Sequence, residues 1–184
     1  NNSINPLLTT KQHFIIPIFL LLVTLHFFSF TSSAQWVKTD TGIFGSDETQ
    51  CFAKKGTILF AGTLRGTYKS TDDGSTWISI VTGLPSTGSS SALAVSGSFV
   101  FAGSSSGVYR SSDDGASWIA VNTGLANLTV RSILANGTDL YAGTAGGIFK
   151  STNNGATWTV INNGPITSST EVLSLTANGS VIFA

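Results

Sequence analysis

Histidine and cysteine are nearly missing from this sequence. Its 184 residues include two histidines, His13 and His26, and one cysteine, Cys51. Both histidines precede residue 34, so the chain beyond it has no imidazole to bind a metal ion or to activate a serine nucleophile. A single cysteine excludes a disulfide within the chain. We therefore expect no metal site, no cofactor and a fold that depends on packing alone.

Charged residues are also scarce, and their signs balance. Nine basic and nine acidic residues make up 10% of the chain. Lys11 is the one charged residue before residue 35, so the remainder has eight basic residues against nine acidic ones, a net charge of −1. A chain without a basic surface is poorly suited to bind nucleic acid. We expect no nucleic-acid partner.

One long apolar run is present, and it lies near the N-terminus. Residues 14–30 follow Lys11 and are interrupted by Pro17. The run is about 17 residues, short for a membrane-spanning helix of roughly 20. Small residues ending at Ala34 fit a signal-peptidase site. The alternative is a membrane anchor, but the pattern favours a signal peptide over 1–34. It predicts a secreted or cell-surface protein with no membrane span after cleavage.

The rest of the sequence is a repeat marked by tryptophan. Four tryptophans stand 41, 41 and 40 residues apart, and a glycine follows each of them six residues later. A period near 40 is typical of propellers and other repeat architectures. The tryptophans are Trp36, Trp77, Trp118 and Trp158, and the glycines are Gly42, Gly83, Gly124 and Gly164.

Each unit carries four short runs rich in β-branched and aromatic residues, which predict four strands, A to D. No sustained helical period appears beyond the leader. Strand D begins at the tryptophan, and strand B is apolar on both faces, as in a sheet covered on both sides. The runs are 51–53, 92–94, 132–134 and 174–176 for A, 58–62, 99–103, 140–143 and 181–184 for B, and 66–70, 107–111 and 147–151 for C.

Two-residue turns between A and B complete the pattern. Asn-Gly between apolar runs predicts a type I′ hairpin turn, in which both central residues have positive φ. The predicted central pairs are Lys55-Gly56, Ser96-Gly97, Asn136-Gly137 and Asn178-Gly179.

Four-stranded sheets repeated every 40 residues predict an all-β fold, a β-propeller of antiparallel blades. Residues 35–184 would hold three full blades and a partial fourth. Closed propellers usually have about 4 to 8 blades, and the sequence begins without Met, so we expect it to be part of a longer protein. The predicted blades are 49–82, 90–123, 130–163 and, incomplete, 172–184.

The C–D connections share a motif. They read Ser-Thr-Asp-Asp-Gly-Ser-Thr-Trp at 70–77, Ser-Ser-Asp-Asp-Gly-Ala-Ser-Trp at 111–118 and Ser-Thr-Asn-Asn-Gly-Ala-Thr-Trp at 151–158. The motif resembles the Asp-box (BNR) repeat of β-propellers, a family that includes sialidases, other glycoside hydrolases and many secreted bacterial proteins. The third copy departs from the pattern, with Asn153 where the family has Asp. The matching residues are Ser70, Asp72, Gly74, Trp77, Ser111, Asp113, Gly115, Trp118, Ser151, Asn153, Gly155 and Trp158.

The chemistry of these residues favours a structural role. Asx side chains accept backbone N–H bonds in turns, and glycine allows a positive φ. The alternative, that the acidic residues bind Ca²⁺ or catalyse, is weakened because they recur in every unit. Cys51 occupies a strand A position that is small in every unit, so we expect packing rather than a reactive thiol. Lys69, Arg110 and Lys150 recur at the end of strand C and are expected to be solvated cations.

Ligand contacts are expected where the repeat varies. The B–C and D–A loops emerge on one face of a propeller, where ligands usually bind, and the A–B turns and box motifs emerge on the other. The loops depart from the repeat at six positions that we take as candidate ligand contacts. They are Phe44, Asp47, Leu64, Arg65, Arg131 and Glu171.

Two functions are compatible with this pattern. The first is a secreted or surface-attached binding or scaffold module without catalysis, with a glycan or protein ligand on the loops. The alternative is the N-terminal part of a secreted glycoside hydrolase, sialidase-like or acting on polysaccharide. Hydrolysis needs two carboxylates about 5 to 9.5 Å apart, and the neighbours Asp47 and Glu48 make a poor pair. We identify no catalytic residues.

Overall fold

The strands follow the repeat that the tryptophans mark. The computed structural model describes residues 42, 48–86 and 88–184, all of which belong to the second of two compact units of the chain, which begins at Lys38. Their strands are β1 Thr49–Lys55, β2 Ile58–Thr63, β3 Thr67–Ser70, β4 Ile78–Ser79, β5 Ala92–Ser96, β6 Phe99–Ser104, β7 Gly107–Ser111, β8 Ile119–Ala120, β9 Val130–Asn136, β10 Asp139–Thr144, β11 Gly147–Ser151, β12 Thr159–Val160, β13 Thr176–Asn178 and β14 Val181–Phe183.

Each set of four strands forms one antiparallel sheet in simple meander order. Blade 1 is β1–β4, blade 2 is β5–β8 and blade 3 is β9–β12, while β13 and β14 make a two-stranded partial blade 4. This confirms the predicted β-propeller architecture of three full blades and a partial fourth. Among the described residues no helix is long and apolar enough to cross a membrane. The predicted signal peptide, 1–34, lies outside these residues and stays a prediction.

The A–B turns differ from the sequence prediction by one residue. Lys55 pairs with Ile58, so the central residues are Gly56 and Thr57 rather than Lys55 and Gly56. Gly56 has φ of +59°, whereas no positive φ occurs at Thr57. One positive φ at the first central position is the pattern of a type II′ turn, not type I′. The prediction was wrong because the residue before each glycine continues strand A, as Asn136 does in β9.

Strand bounds also differ at two places. The D strands are only two residues long and begin after the tryptophan, which packs inward instead of pairing. Strand β13 begins at Thr176, two residues later than expected, and Leu173 and Phe183 are exposed. The described part of blade 4 is a two-stranded sheet with exposed side chains, so less packing defines where its strands begin.

Apolar side chains fill the space between neighbouring blades. Strand B is an inner strand of each four-stranded sheet and is buried on both faces, as its composition predicted. Burial of an aromatic side chain contributes on the order of 2–3 kcal/mol. The junction of blades 1 and 2 is built from Phe60, Ile80, Leu93, Val100, Ala102 and Trp118, and that of blades 2 and 3 from Phe101, Val121, Leu125, Val130, Leu140, Phe149 and Trp158.

The glycine six residues after each tryptophan lies against the next blade. Gly83 has φ of +90°, and a Cβ on it would overlap the carbonyl oxygen of Trp118. Gly124 has the same relation to Trp158. The spacing therefore reflects two requirements, a positive φ and a close approach of backbone to backbone. Gly164 has open space around it instead, since none of the described tryptophans lies against it.

Candidate functional site

Simple meander connectivity gives the sheets two distinct ends. Strands A and B join at one end and B and C at the other, so alternate connections share a face. We call the end with the B–C and D–A connections the loop face, and the end with the A–B turns and the motif hairpins 70–77, 111–118 and 151–158 the box face. Each face has its own chemistry.

On the box face, the motif carboxylates accept hydrogen bonds from their own hairpins. Asp72 accepts hydrogen bonds from the backbone N–H of Thr76 at 2.9 Å and from its hydroxyl at 2.6 Å. Ser70 donates to the same carboxylate at 2.7 Å and accepts the N–H of Gly74 at 2.8 Å. Led by the Thr76 hydroxyl, these bonds lower the pKa of Asp72 to about 2. Asp113 has the same contacts, and its pKa is also about 2.

The third hairpin keeps this geometry with an amide. Asn153 accepts the backbone N–H of Thr157 at 2.9 Å and donates to its hydroxyl at 2.8 Å. The residue after the motif Asx is left-handed in each hairpin. Its φ is 54° at Asp73, 53° at Asp114 and 54° at Asn154, a conformation that Asp and Asn tolerate better than other non-glycine residues.

The repeated cations at the ends of the C strands connect blades. Lys69 donates to the backbone carbonyl of Asp114 in the next blade at 3.0 Å. Arg110 donates to the carbonyl of Asn154 at 2.9 Å, and its guanidinium lies 4.9 Å from the ring centre of Phe99. Lys69 and Arg110 thus each bind the left-handed residue of the following hairpin. The expectation of merely solvated side chains was wrong, because a sequence does not show which groups meet across a blade junction.

Other charges on this face are paired as well. Lys55 lies 2.6 Å from the carboxylate of Asp114, which joins blade 1 to blade 2. Lys150 lies 2.7 Å from Asp139 of its own blade. The hydrogen bond with Asp139 raises the pKa of Lys150. The box face is therefore largely occupied by contacts that hold hairpins and blades together.

On the loop face, a cleft of about 210 Å³ lies where blades 1, 2 and 3 meet. Among the described residues that line it, Arg131 has the one charged side chain, and Leu64, 55% exposed, supplies an apolar surface. The other lining groups are hydroxyls and an amide. The lining residues are Gln50, Thr63, Leu64, Ser89, Ser90, Ser91, Ser104, Ser105 and Arg131.

Three of these residues share one repeated position, immediately before the small residue of strand A. Gln50, Ser91 and Arg131 occupy it in blades 1, 2 and 3. The strand register shifts at Gln50 and at Arg131, so each is the extra residue of a β-bulge. Bulges re-aim side chains and are frequent next to functional sites. The fourth occupant, Leu173, lines a neighbouring cleft of about 360 Å³.

An ion pair joins a residue of one cleft to a residue of the other. Arg131 Nε donates to Glu171 Oε1 at 2.8 Å, and the two side chains are 45% and 47% exposed. Glu171 lines the second cleft and not the first. Among the described residues that line either cleft, Glu171 is the one with a carboxylate side chain, and it is already paired with Arg131.

The candidate ligand residues are therefore only partly brought together. Leu64 and Arg131 line one cleft, and Glu171 reaches it through the ion pair. Arg65 is exposed beside Leu64 on the same B–C loop but does not line the cleft. Phe44 and Asp47 lie outside the described residues. Sequence reasoning missed Gln50 and the serines, since serine-rich loops give no signal that singles out a ligand contact.

Cys51 is a packing residue in this structure. Its thiol lies 3.5 Å from the backbone carbonyl of Ser90, and a Cβ on the facing Gly62 would lie 2.6 Å from its sulfur. Burial raises the pKa of the thiol to about 12. A thiol with so high a pKa has almost no reactive thiolate at neutral pH. Within the described part of the chain no cluster of three His, Cys, Asp or Glu is placed to hold a metal ion.

Comparison with known proteins supports the fold. No protein-family model matches the sequence, and no curated protein matches it significantly. Among solved structures, the extracellular domain of a one-component system from B. thetaiotaomicron has a TM-score of 0.58 at 20% identity, covering 70% of this chain and 18% of that one. The designed protein Ika4 has a TM-score of 0.58 at 11% identity, covering 80% and 91%.

A third similar structure is an ancestral GH74 enzyme, with a TM-score of 0.49 at 24% identity, covering 64% of this chain. The chain spans 18% of the length of that enzyme and of the bacterial extracellular domain. Likenesses at such identities concern the fold alone, and the same fold serves unrelated activities.

Proposed function

We propose that this chain is an extracellular, non-catalytic binding module whose ligand is a glycan held in the loop-face cleft. The observation that carries the proposal is the lining of that cleft. The side chains of Gln50 and Ser105 make no hydrogen bond within the described chain, and Arg131 binds one carboxylate through Nε. Amide, hydroxyl and guanidinium groups are donors and acceptors that match sugar hydroxyls.

The box face is a poorer candidate for the ligand site, because its charged side chains are already bound within the fold. Its carboxylates accept hairpin hydrogen bonds, and its cations bind the next blade. A ligand there would have to displace contacts that stabilise the fold. On the loop face the hydroxyls of Thr63, Ser90, Ser91 and Ser104 also bond within the fold, but Gln50 and Ser105 have no such role, and loops on a rigid scaffold commonly carry binding.

An extracellular location is supported by two independent features. The leader over 1–34 has the composition of a signal peptide. One of the proteins with the same fold is a bacterial extracellular domain. The low charge and the single, partly buried cysteine are compatible with export.

Part of a glycoside hydrolase is the weaker candidate. A glycosidase needs an acid and a second carboxylate on opposite sides of the sugar bond. The described clefts hold one carboxylate, Glu171, and the Arg131 guanidinium is bound to it.

The test is binding of the purified protein to a panel of glycans, followed by calorimetry with the strongest binder. Leu64→Ala combined with Arg131→Gln should weaken binding at least tenfold. Asp73→Asn combined with Asp114→Asn is the matched control on the box face, because Asn154 shows that Asn fits this left-handed position. If the box-face variant lost binding and the loop-face variant bound normally, the ligand site would lie on the box face, and the proposal would be wrong. Turnover of any glycan would favour the hydrolase.

A further inference from the structure

We propose that Asn163 is a site of spontaneous covalent modification, at which the backbone nitrogen of Gly164 converts the asparagine side chain into a carboxylate. The site lies in the D–A connection after β12, on the loop face. The reaction is deamidation through a cyclic imide, and its one co-reactant is water. The inference is independent of the glycan-binding function proposed above.

The sequence contains the same reactive dipeptide at four places. Asparagine followed by glycine is prone to this reaction, because glycine has no side chain to shield its nitrogen from the preceding amide. The four pairs lie in different parts of the fold, so the chain supplies its own comparison of one dipeptide in four environments. They are Asn136-Gly137, Asn154-Gly155, Asn163-Gly164 and Asn178-Gly179.

At Asn163 the two reacting groups are already side by side. The N–H of Gly164 donates to Oδ1 of Asn163 at 2.9 Å, so this nitrogen lies next to the side-chain carbon that it attacks. Both residues are exposed, and there is open space around Gly164, whose φ is +61°. The hydrogen bond that closes the turn, from the Ile166 N–H to the Asn163 carbonyl oxygen, is long at 3.3 Å. Placing reacting groups together lowers the entropic cost of ring closure.

The pair Asn154-Gly155 is held in the opposite way. Gly155 is buried, and its N–H donates to Ser151 Oγ at 2.9 Å instead of to the preceding amide. The carbonyl oxygen of Asn154 accepts from the Arg110 guanidinium at 2.9 Å. The nitrogen is therefore turned away from the side chain and has a partner that it would have to leave before it could react.

Strand pairing restrains the remaining two pairs. Asn136 ends β9, pairs with Asp139, and donates its side-chain amide to the carbonyl oxygen of Gly179 at 2.8 Å. Asn178 is exposed, but it pairs with Val181 at the end of β13. Pairing limits the backbone rotation that brings the nitrogen and the side chain together. We therefore expect Asn163 to react first and Asn154 last.

The chemistry balances without an external catalyst. The Gly164 nitrogen loses its proton to solvent and forms a bond to Cγ of Asn163, while the bond from Cγ to Nδ2 breaks and Nδ2 leaves as ammonia. Water then opens the five-membered imide. Hydrolysis of the bond between nitrogen and Cγ yields aspartate, and hydrolysis of the bond between nitrogen and the main-chain carbon yields isoaspartate. Both products carry a new negative charge.

The modified backbone is one that the repeat uses elsewhere to join blades. The equivalent residues are Thr82 and Thr123, whose carbonyl oxygens accept the backbone N–H of Trp118 at 3.0 Å and of Trp158 at 2.8 Å. An isoaspartate adds one methylene group to the main chain at this position. The third unit thus carries a reactive asparagine where the first two carry an inert threonine.

Peptide mapping by mass spectrometry tests the proposal on protein aged at pH 8, folded in one sample and unfolded in concentrated urea in the other. In urea the four pairs should react at similar rates, because the dipeptide is the same. In the folded protein Asn163 should react roughly tenfold or more faster than Asn154, since only its reacting groups are held together. Raising the pH should speed the reaction, because the attacking nitrogen must lose its proton.

Asn163→Thr is the matched variant, because it copies the Thr-Gly pairs at 82–83 and 123–124 and should fold normally by circular dichroism. It should remove most of the ammonia that the folded protein releases early. Unchanged early ammonia release in this variant would overturn the proposal. So would faster conversion of Asn178 or Asn154 than of Asn163 in the folded protein, or conversion of Asn163 in urea but not in the folded protein.

Discussion

The indole N–H of Trp118 donates a hydrogen bond to the backbone carbonyl oxygen of Ile80 at 2.8 Å, across the junction of blades 1 and 2. Trp118 is only 4% exposed. Trp158 and Val121 repeat the relation at the next junction, also at 2.8 Å. Each tryptophan therefore combines apolar packing with the one polar contact that a buried indole requires.

Removing this contact should destabilise the blade array. Trp118→Ala is expected to lower the free energy of unfolding by about 3–5 kcal/mol, the range for truncating a buried large aromatic. Trp118→Phe should cost less, about 1–3 kcal/mol, because it keeps much of the packing but leaves the Ile80 carbonyl unpaired. Urea unfolding measures both. Wild-type stability in Trp118→Ala would mean that the indole is not part of the core.

Two glycines with positive φ should respond differently to a methyl group. Gly97 has φ of +56° and open space, so Gly97→Ala should cost about 1–3 kcal/mol from backbone strain alone. Gly83→Ala adds an overlap with the Trp118 carbonyl, worth a further ~1–3 kcal/mol. Equal losses for the two variants, measured by thermal unfolding, would argue against the close approach of blades at Gly83.

The hairpin carboxylates should make stability depend on acid pH. The pKa of Asp72 and of Asp113 is lowered in the folded protein from 3.8 to about 2. A depressed folded pKa gives stability that is present above the unfolded pKa and lost as pH falls through the folded one. The midpoint of urea unfolding should therefore drop between pH 4 and pH 2.

A matched variant isolates this effect. Asp72→Asn with Asp113→Asn copies the third hairpin, where Asn153 keeps the turn without a charge. Its stability should depend less on pH over this window than that of the wild type. The same dependence in both proteins would assign the acid sensitivity to other groups.

The Cys51 thiol should be unreactive in the folded protein. Its pKa of about 12 leaves too little thiolate for disulfide exchange with an aromatic disulfide reagent at pH 8. One equivalent of reagent should react only after denaturation, as followed by absorbance. Immediate reaction of the native protein would show that the thiol is accessible and has a more ordinary pKa.

Most of the fold could be predicted from the sequence, because repetition averages out local ambiguity. The tryptophan period located every blade, and the apolar runs located strands A, B and C in the three full blades. The turn type was missed, since whether Asn136 ends a strand or enters a turn depends on pairing with Asp139. The cross-blade contact of Lys69 was missed for the same reason, as its partner is 45 residues away.

The site could be predicted only in part. Arg131 and Leu64 differ from the repeat, and that difference is visible in a single sequence. Gln50 occupies the same repeat position as Arg131, but as a neutral side chain it does not stand out among the other polar residues of the sequence. That both are β-bulge residues is seen only in the strand pairing. The pairing of Arg131 with Glu171 joins positions 40 residues apart in different blades, so only a three-dimensional structure reveals it.

The most direct test of the central claim, that glycans bind on the loop face, is a residue-resolved map of binding. The ¹⁵N-labelled protein would be titrated with the glycan that binds best, and amide chemical shifts would be followed by NMR. The largest changes should fall at Gln50, Leu64, Ser105 and Arg131, with the hairpins 70–77, 111–118 and 151–158 unaffected. Changes concentrated in those hairpins, with the cleft residues unmoved, would contradict the account.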